Sequence, residues 1–103
     1  MHNEVVLEGE LPKDPVEREL KTGERVWLFQ VAVPQVSGEG HDRVDCSVRS
    51  GRMLRVVAAW RAGDRVRIVG HLRRRFFTAG GVSRSTLEVS VQTGRRARRA
   101  AAA

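Results

Sequence analysis

Cysteine is nearly missing from this chain. Cys46 is the only one in 103 residues, so no internal disulfide can form, as suits a reducing compartment. Long hydrophobic runs are missing as well: no apolar stretch approaches the roughly eighteen residues that a membrane-spanning helix needs. The opening Met1-His2-Asn3-Glu4 lacks the basic start and apolar stretch of a secretory signal. Together these absences predict a soluble, cytoplasmic protein. His2, His41, His71 and Cys46 show no metal-ligand spacing, and neither a metal nor a cofactor is implied. Gly38 and Gly40 form a Gly-x-Gly with no helix signal behind it, which is not a phosphate loop. Most carboxylates fall in the first 42 residues at evidently exposed positions, which leaves no paired acids for proton transfer. Nothing here supports an enzyme.

Lysine is scarce too, with only Lys13 and Lys21 beside seventeen arginines. That bias alone can arise from GC-rich coding, but its placement cannot. Residues 1–42 carry nine acidic and four basic side chains, whereas residues 43–103 carry three acidic and fifteen basic ones. A surplus confined to one half points to a basic face that attracts phosphates. Apolar residues make up 41% of the chain, enough for one compact core in a domain of this length. The domain is placed at residues 1–93, with 94–103 as a disordered basic tail.

Glu4–Leu11 alternates as a strand, with Gly9 suited to a sharp bend in a closing sheet. Asp14-Pro15-Val16-Glu17 carries helix-start signals, but Gly23 ends the run within ten residues, and no helix is assigned. Arg25–Val33 is apolar on both faces, as in a strand shared by the two halves of a barrel. Pro34–Asp42 is a loop, and Arg43–Arg49 alternates Val44, Cys46 and Val48 inward against charged and polar neighbours. The period then changes: Met53, Val56, Val57 and Trp60 make one stripe of a short helix, which assigns Trp60 to the core. Arg65–Phe77 is the longest strand. Thr78–Ser83 closes a hairpin on Gly80-Gly81, and Arg84–Thr93 follows with Ser85, Leu87, Val89 and Val91 inward. Three strands, one short helix between the third and fourth, and two further strands give an all-β, five-stranded OB-fold barrel.

The strand Arg65–Phe77 also carries the binding signal. Arg67, His71, Arg73, Arg75 and Phe77 share one face. Alternate residues of a strand are about 6.6–6.8 Å apart, comparable with the step of an extended single strand of nucleic acid. Guanidinium groups pair with phosphates, and a phenyl ring offers a base a stacking surface. Arg43 and Arg49, outward on the preceding strand, widen the surface.

With these elements in place the chain resembles the bacterial single-stranded-DNA-binding protein family over residues 3–92. The likeness rests on Asn3-Glu-Val-Val-Leu-Glu-Gly, Asp14-Pro15, Val44-Asp-Cys, the stretch Gly63-Asp-Arg-Val-Arg-Ile-Val-Gly-His-Leu-Arg-Arg-Arg-Phe-Phe, and Leu87-Glu-Val. It implies sequence-independent binding of single-stranded DNA in replication, recombination or repair, with Asn3, Gln30, Arg73, Arg75 and Phe77 as contacts. Phe77 stands where the family usually has a stacking Trp. Arg43 and Arg49 occupy positions where aromatic platforms are common, which implies weaker and more salt-sensitive binding. The family's acidic C-terminal tail for recruiting repair partners is not seen, and a specialised paralogue is the resulting expectation. The resemblance also implies a homodimer or homotetramer, often assembled through the first strand. Two alternatives stay open: RNA as the ligand, and a primosome-type accessory module that binds protein through the same fold.

Overall fold

The computed structural model of the chain describes residues 1–49 and 51–101. Its elements are β1 (Val5–Glu10), β2 (Val16–Glu19), β3 (Arg25–Pro34), β4 (His41–Val48), α1 (Met53–Ala58), β5 (Arg65–Ala79) and β6 (Val82–Arg98). The sheet order β1-β5-β6-β4-β3-β2 closes on itself where Glu10 of β1 meets Ala32 of β3. Five strands therefore form a ring, with β4 and β6 parallel at Cys46↔Val89 and Ser47↔Ser90 and α1 between the third and fourth ring strands. This is OB-fold connectivity, as the hydrophobic periodicity predicts. No helix of the described residues is long and apolar enough to cross a membrane.

Closure depends on small residues where strands pass closely. A Cβ at Gly9 would run into the carbonyl oxygen of Ala32, so the bend expected at Gly9 sits where the ring closes. Inside the ring lie Phe29, Val31, Cys46, Val48, Val66, Ile68, Val89 and Val91, covered at one end by α1 through Met53, Val57 and the following Trp60. Trp60 is 2% exposed and meets Phe29 edge-on at 5.5 Å between centroids, a core side chain as its helical spacing implies. Arg61 Nη1 donates to the carbonyls of Ala58 (3.0 Å) and Trp60 (2.7 Å), which closes off the helix end.

Two segments differ from the reading of the sequence. Residues 16–19, where helix-start signals occur, form strand β2, hairpinned onto β3 with Val16 opposite Leu28 and Arg18 opposite Val26. Tertiary pairing overrides a local cap signal here. The second difference is at the end of the domain. The strand placed to stop at Thr93 runs on to Arg98, so the segment read as a disordered tail from Gly94 is sheet through Arg98, with Arg95 opposite Arg67 and Arg98 opposite Arg65. Register shifts fall at Val69/Gly70 and Arg65/Val66. Each adds a residue to β6 and interrupts the period-two pattern, so the continuation is not visible as alternation. Ala102 and Ala103 lie outside the described residues.

Asp64 ties this end down. It is 3% exposed, and its carboxylate accepts the backbone N–H of Arg61 (2.9 Å) and of Ala100 (2.7 Å) and a 3.5 Å bond from Arg96 Nη1. Burial by itself would raise its pKa, but the N–H groups of Ala100 and Arg61 and the Arg96 guanidinium together hold it below the ordinary 3.8. A depressed carboxylate contributes stability above its unfolded pKa and loses it as pH falls through the folded value. Thermal melts of Asp64→Asn are therefore expected to show a lower midpoint at neutral pH and a smaller drop than the wild type below about pH 4. Parallel curves for the two proteins across that range would contradict the assignment.

Candidate nucleic-acid interface

β1 accompanies β5 only as far as Val5↔Gly70. Beyond it β5 continues with β6 alone as a two-stranded arm, closed by Gly80 and Gly81 at φ 59° and 77°, the left-handed pair that a two-residue hairpin turn requires. The face of β5 that turns Val66 and Ile68 into the core leaves the barrel at this point. Leu72 (41%), Phe76 (75%) and, on β6, Leu87 (48%) are therefore exposed, although their parity is inward. Leu87 and Ser85, expected inside, lie beyond the rim.

The opposite face carries the predicted stripe. His71, Arg73, Arg75 and Phe77 lie across from Ser90, Glu88, Thr86 and Arg84 of β6. Arg49 follows the end of β4, and the β2–β3 turn brings Leu20 and Lys21 over from the far side. Between that turn and the arm is an open groove of about 660 Å³ lined by Lys21, Arg49, Arg73, Arg75 and both Phe76 and Phe77. Phe77 is 39% exposed, with the Arg75 guanidinium carbon 5.5 Å from its ring centroid. That cation–π contact leaves part of the ring's apolar area available.

The floor beside the groove contains a carboxylate that the sequence does not single out. Glu88 is 2% exposed. Its oxygens lie 3.7 Å from Arg49 Nη2, 3.9 Å from Arg73 Nε and 3.4 Å from Arg75 Nε. The equally buried Ser47 hydroxyl donates to Oε1 at 3.4 Å. A buried carboxylate is costly unless paired, and three guanidiniums provide the pairing. The available signal was its outward parity directly opposite Arg73, legible only once the β5–β6 register is known.

The remaining predicted residues are dispersed. Gln30 sits next to the groove but donates through Nε2 to Asp45 Oδ1 at 3.0 Å. With Lys13, Arg18 and Arg75 it lines a smaller recess of about 260 Å³. Arg43 is exposed on the same face of β4, opposite Ala32. Arg67 lies toward the other end of β5 in a separate recess with Thr93 and Arg95. Asn3 is used structurally: its amide donates to the Leu72 carbonyl and accepts the Leu72 N–H, both at 2.8 Å, where β1 leaves β5. The structure brings Arg49, Arg73, Arg75 and Phe77 together and places His71 alongside.

Cys46 contributes packing. Burial first, then the charges of Asp45 and Glu88, pushes its thiol up to about 12, and the S–H donates to the Val44 carbonyl at 3.5 Å. Ellman's reagent is therefore expected to leave the folded protein unlabelled at about pH 8 and to label one thiol after denaturation. Prompt labelling of the native protein would contradict this placement.

The family model for the single-strand binding protein family matches residues 2–97. No curated protein matches the chain.

Proposed function

The chain belongs to the single-strand binding protein family and binds single-stranded DNA, and we propose that the strand lies in the groove between the β2–β3 turn and the β5–β6 arm. One observation carries this: three guanidiniums from two non-adjacent segments converge beside an exposed phenyl ring. Phosphates contact Arg49, Arg73 and Arg75, with Lys21 across the groove, and Phe77 stacks on a base. His71 and Arg43 extend the path. Arg67, paired with Arg95 about 20 Å back along β5 by strand rise, meets only a longer ligand. None of these contacts reads a base edge, so binding is independent of sequence and serves replication, recombination or repair in the cytoplasm. RNA fits the same groove, and a matched RNA oligomer is the competitor that separates the two ligands.

Assembly into a homo-oligomer is part of the proposal. β1 pairs with β5 along its length but with β3 only at Glu10, which leaves most of its second edge open to another copy. The exposed Leu72 and Leu87 on the reverse of the arm are what favours the second reading, an accessory module that docks protein.

A salt titration of labelled oligo-dT separates these readings. Affinity is expected to fall with a log–log slope of about −0.7 per phosphate contacted, duplex DNA to bind less tightly, and Phe77→Ala to cost about 1–3 kcal/mol. An affinity unchanged by that substitution, or no binding of oligo-dT at physiological salt, would favour the docking module.

A further inference from the structure

The charge arrangement at Glu88 is unexpected for a surface that binds phosphates. A carboxylate beneath the phosphate-binding arginines lowers the positive potential of the groove, so on charge alone it weakens binding. Yet Glu88 is 2% exposed and reaches three arginines from two strand systems: Arg49 beyond β4, and Arg73 and Arg75 on the arm. Arg49 Nε and Arg75 Nε are themselves buried and lack a well-directed hydrogen bond. Arg75 Nε faces Glu88 Oε2 at 3.4 Å as an ion pair, whereas Arg49 lies between two carboxylates, with Nη2 3.7 Å from Glu88 and Nη1 3.8 Å from Glu24. A guanidinium has five N–H donors in a rigid fork, and an inner edge directed at Glu88 leaves the outer edge free for a phosphate oxygen. Without the carboxylate, like charges this close repel and fan apart, and each long side chain must then be ordered when the ligand arrives.

Resting on the single-stranded DNA reading above, we propose that Glu88 is the positioning residue of the interface. It fixes the outer edges of Arg73 and Arg75, which both approach it through Nε, at phosphate-binding positions before the strand arrives, and this gain outweighs the charge it subtracts. Glu88 touches no ligand. Its hydrogen bond from Ser47 and its place opposite Arg73 hold the carboxylate in turn.

The test has two arms, both on the full chain. In the first, oligo-dT affinity is measured at physiological salt for wild type, Glu88→Gln and Glu88→Asp, well below each melting temperature. Glu88→Gln removes the charge and keeps the shape. It is expected to bind roughly tenfold more weakly, because each side chain immobilised on binding is worth severalfold. Glu88→Asp keeps the charge with the carboxylate drawn back and should lie between the two. Tighter or equal binding by Glu88→Gln overturns the proposal, since that is the result if the carboxylate only dampens charge. In the second arm, the arginine Nε–H resonances are followed without ligand. Arg75 should give an exchange-protected signal in the wild type that is lost in Glu88→Gln and weakened in Glu88→Asp; a signal unmoved in both variants overturns the proposal even if Glu88→Gln folds poorly. Failure of the wild type to bind oligo-dT sinks the functional reading instead, and the resonances still report on the positioning.

Discussion

Pairing between β5 and β6 runs from Arg65↔Arg98 at one end to Ala79↔Val82 at the other, further than a small barrel requires. The inner half of that hairpin forms part of the ring wall and places Val66, Ile68, Val89 and Val91 in the core. The outer half has no core to cover, so the same alternation that buries aliphatic side chains below projects arginine and phenylalanine above. The two halves meet at Gly70, where a Cβ would collide with the Ser90 carbonyl and where the register with β6 shifts. One continuous hairpin therefore serves as both wall and arm, and the arm springs directly from the barrel.

Electrostatics decides how that arm works. Arg43 and Arg49 stand at positions where the resemblance leads one to expect rings, and Phe77 is the one exposed ring on the face with Arg73 and Arg75. Stacking supplies about 1–3 kcal/mol for each base that finds an aromatic surface; the rest must come from phosphate contacts and counterion release, which vanish as salt rises. Such contacts gain most from guanidiniums that are already oriented. The buried Glu88 belongs to that logic: a charge that would be a liability in a core is matched by three cations, of which Arg73 and Arg75 keep about 40% of their side chains exposed.

The barrel is legible in the amino-acid order because its signals are local and consistent. Val44, Cys46 and Val48 alternate cleanly, Met53, Val57 and Trp60 change to a helical period, and Gly80-Gly81 marks a hairpin. What stays hidden depends on non-local pairing. Val16–Glu19 has no hydrophobic period and becomes a strand only because β3 offers a partner. The extension past Thr93 is concealed by two register shifts. The same limit applies to the site. The stripe of Arg73, Arg75 and Phe77 can be read from one strand, but its union with Arg49 requires the β4–β6 pairing, and Asn3 reads as a contact until its amide is seen on the Leu72 backbone.

On this proposal, single-stranded DNA occupies the groove formed by the arm and the β2–β3 turn. Backbone amide shifts followed while oligo-dT is added test it most directly. The largest changes are expected in His71–Thr78, Arg84–Ser90, Arg49 and the Leu20–Gly23 turn, with α1 and β1 unaffected. Changes centred on α1 or the outer face of β1, with the arm silent, would contradict it.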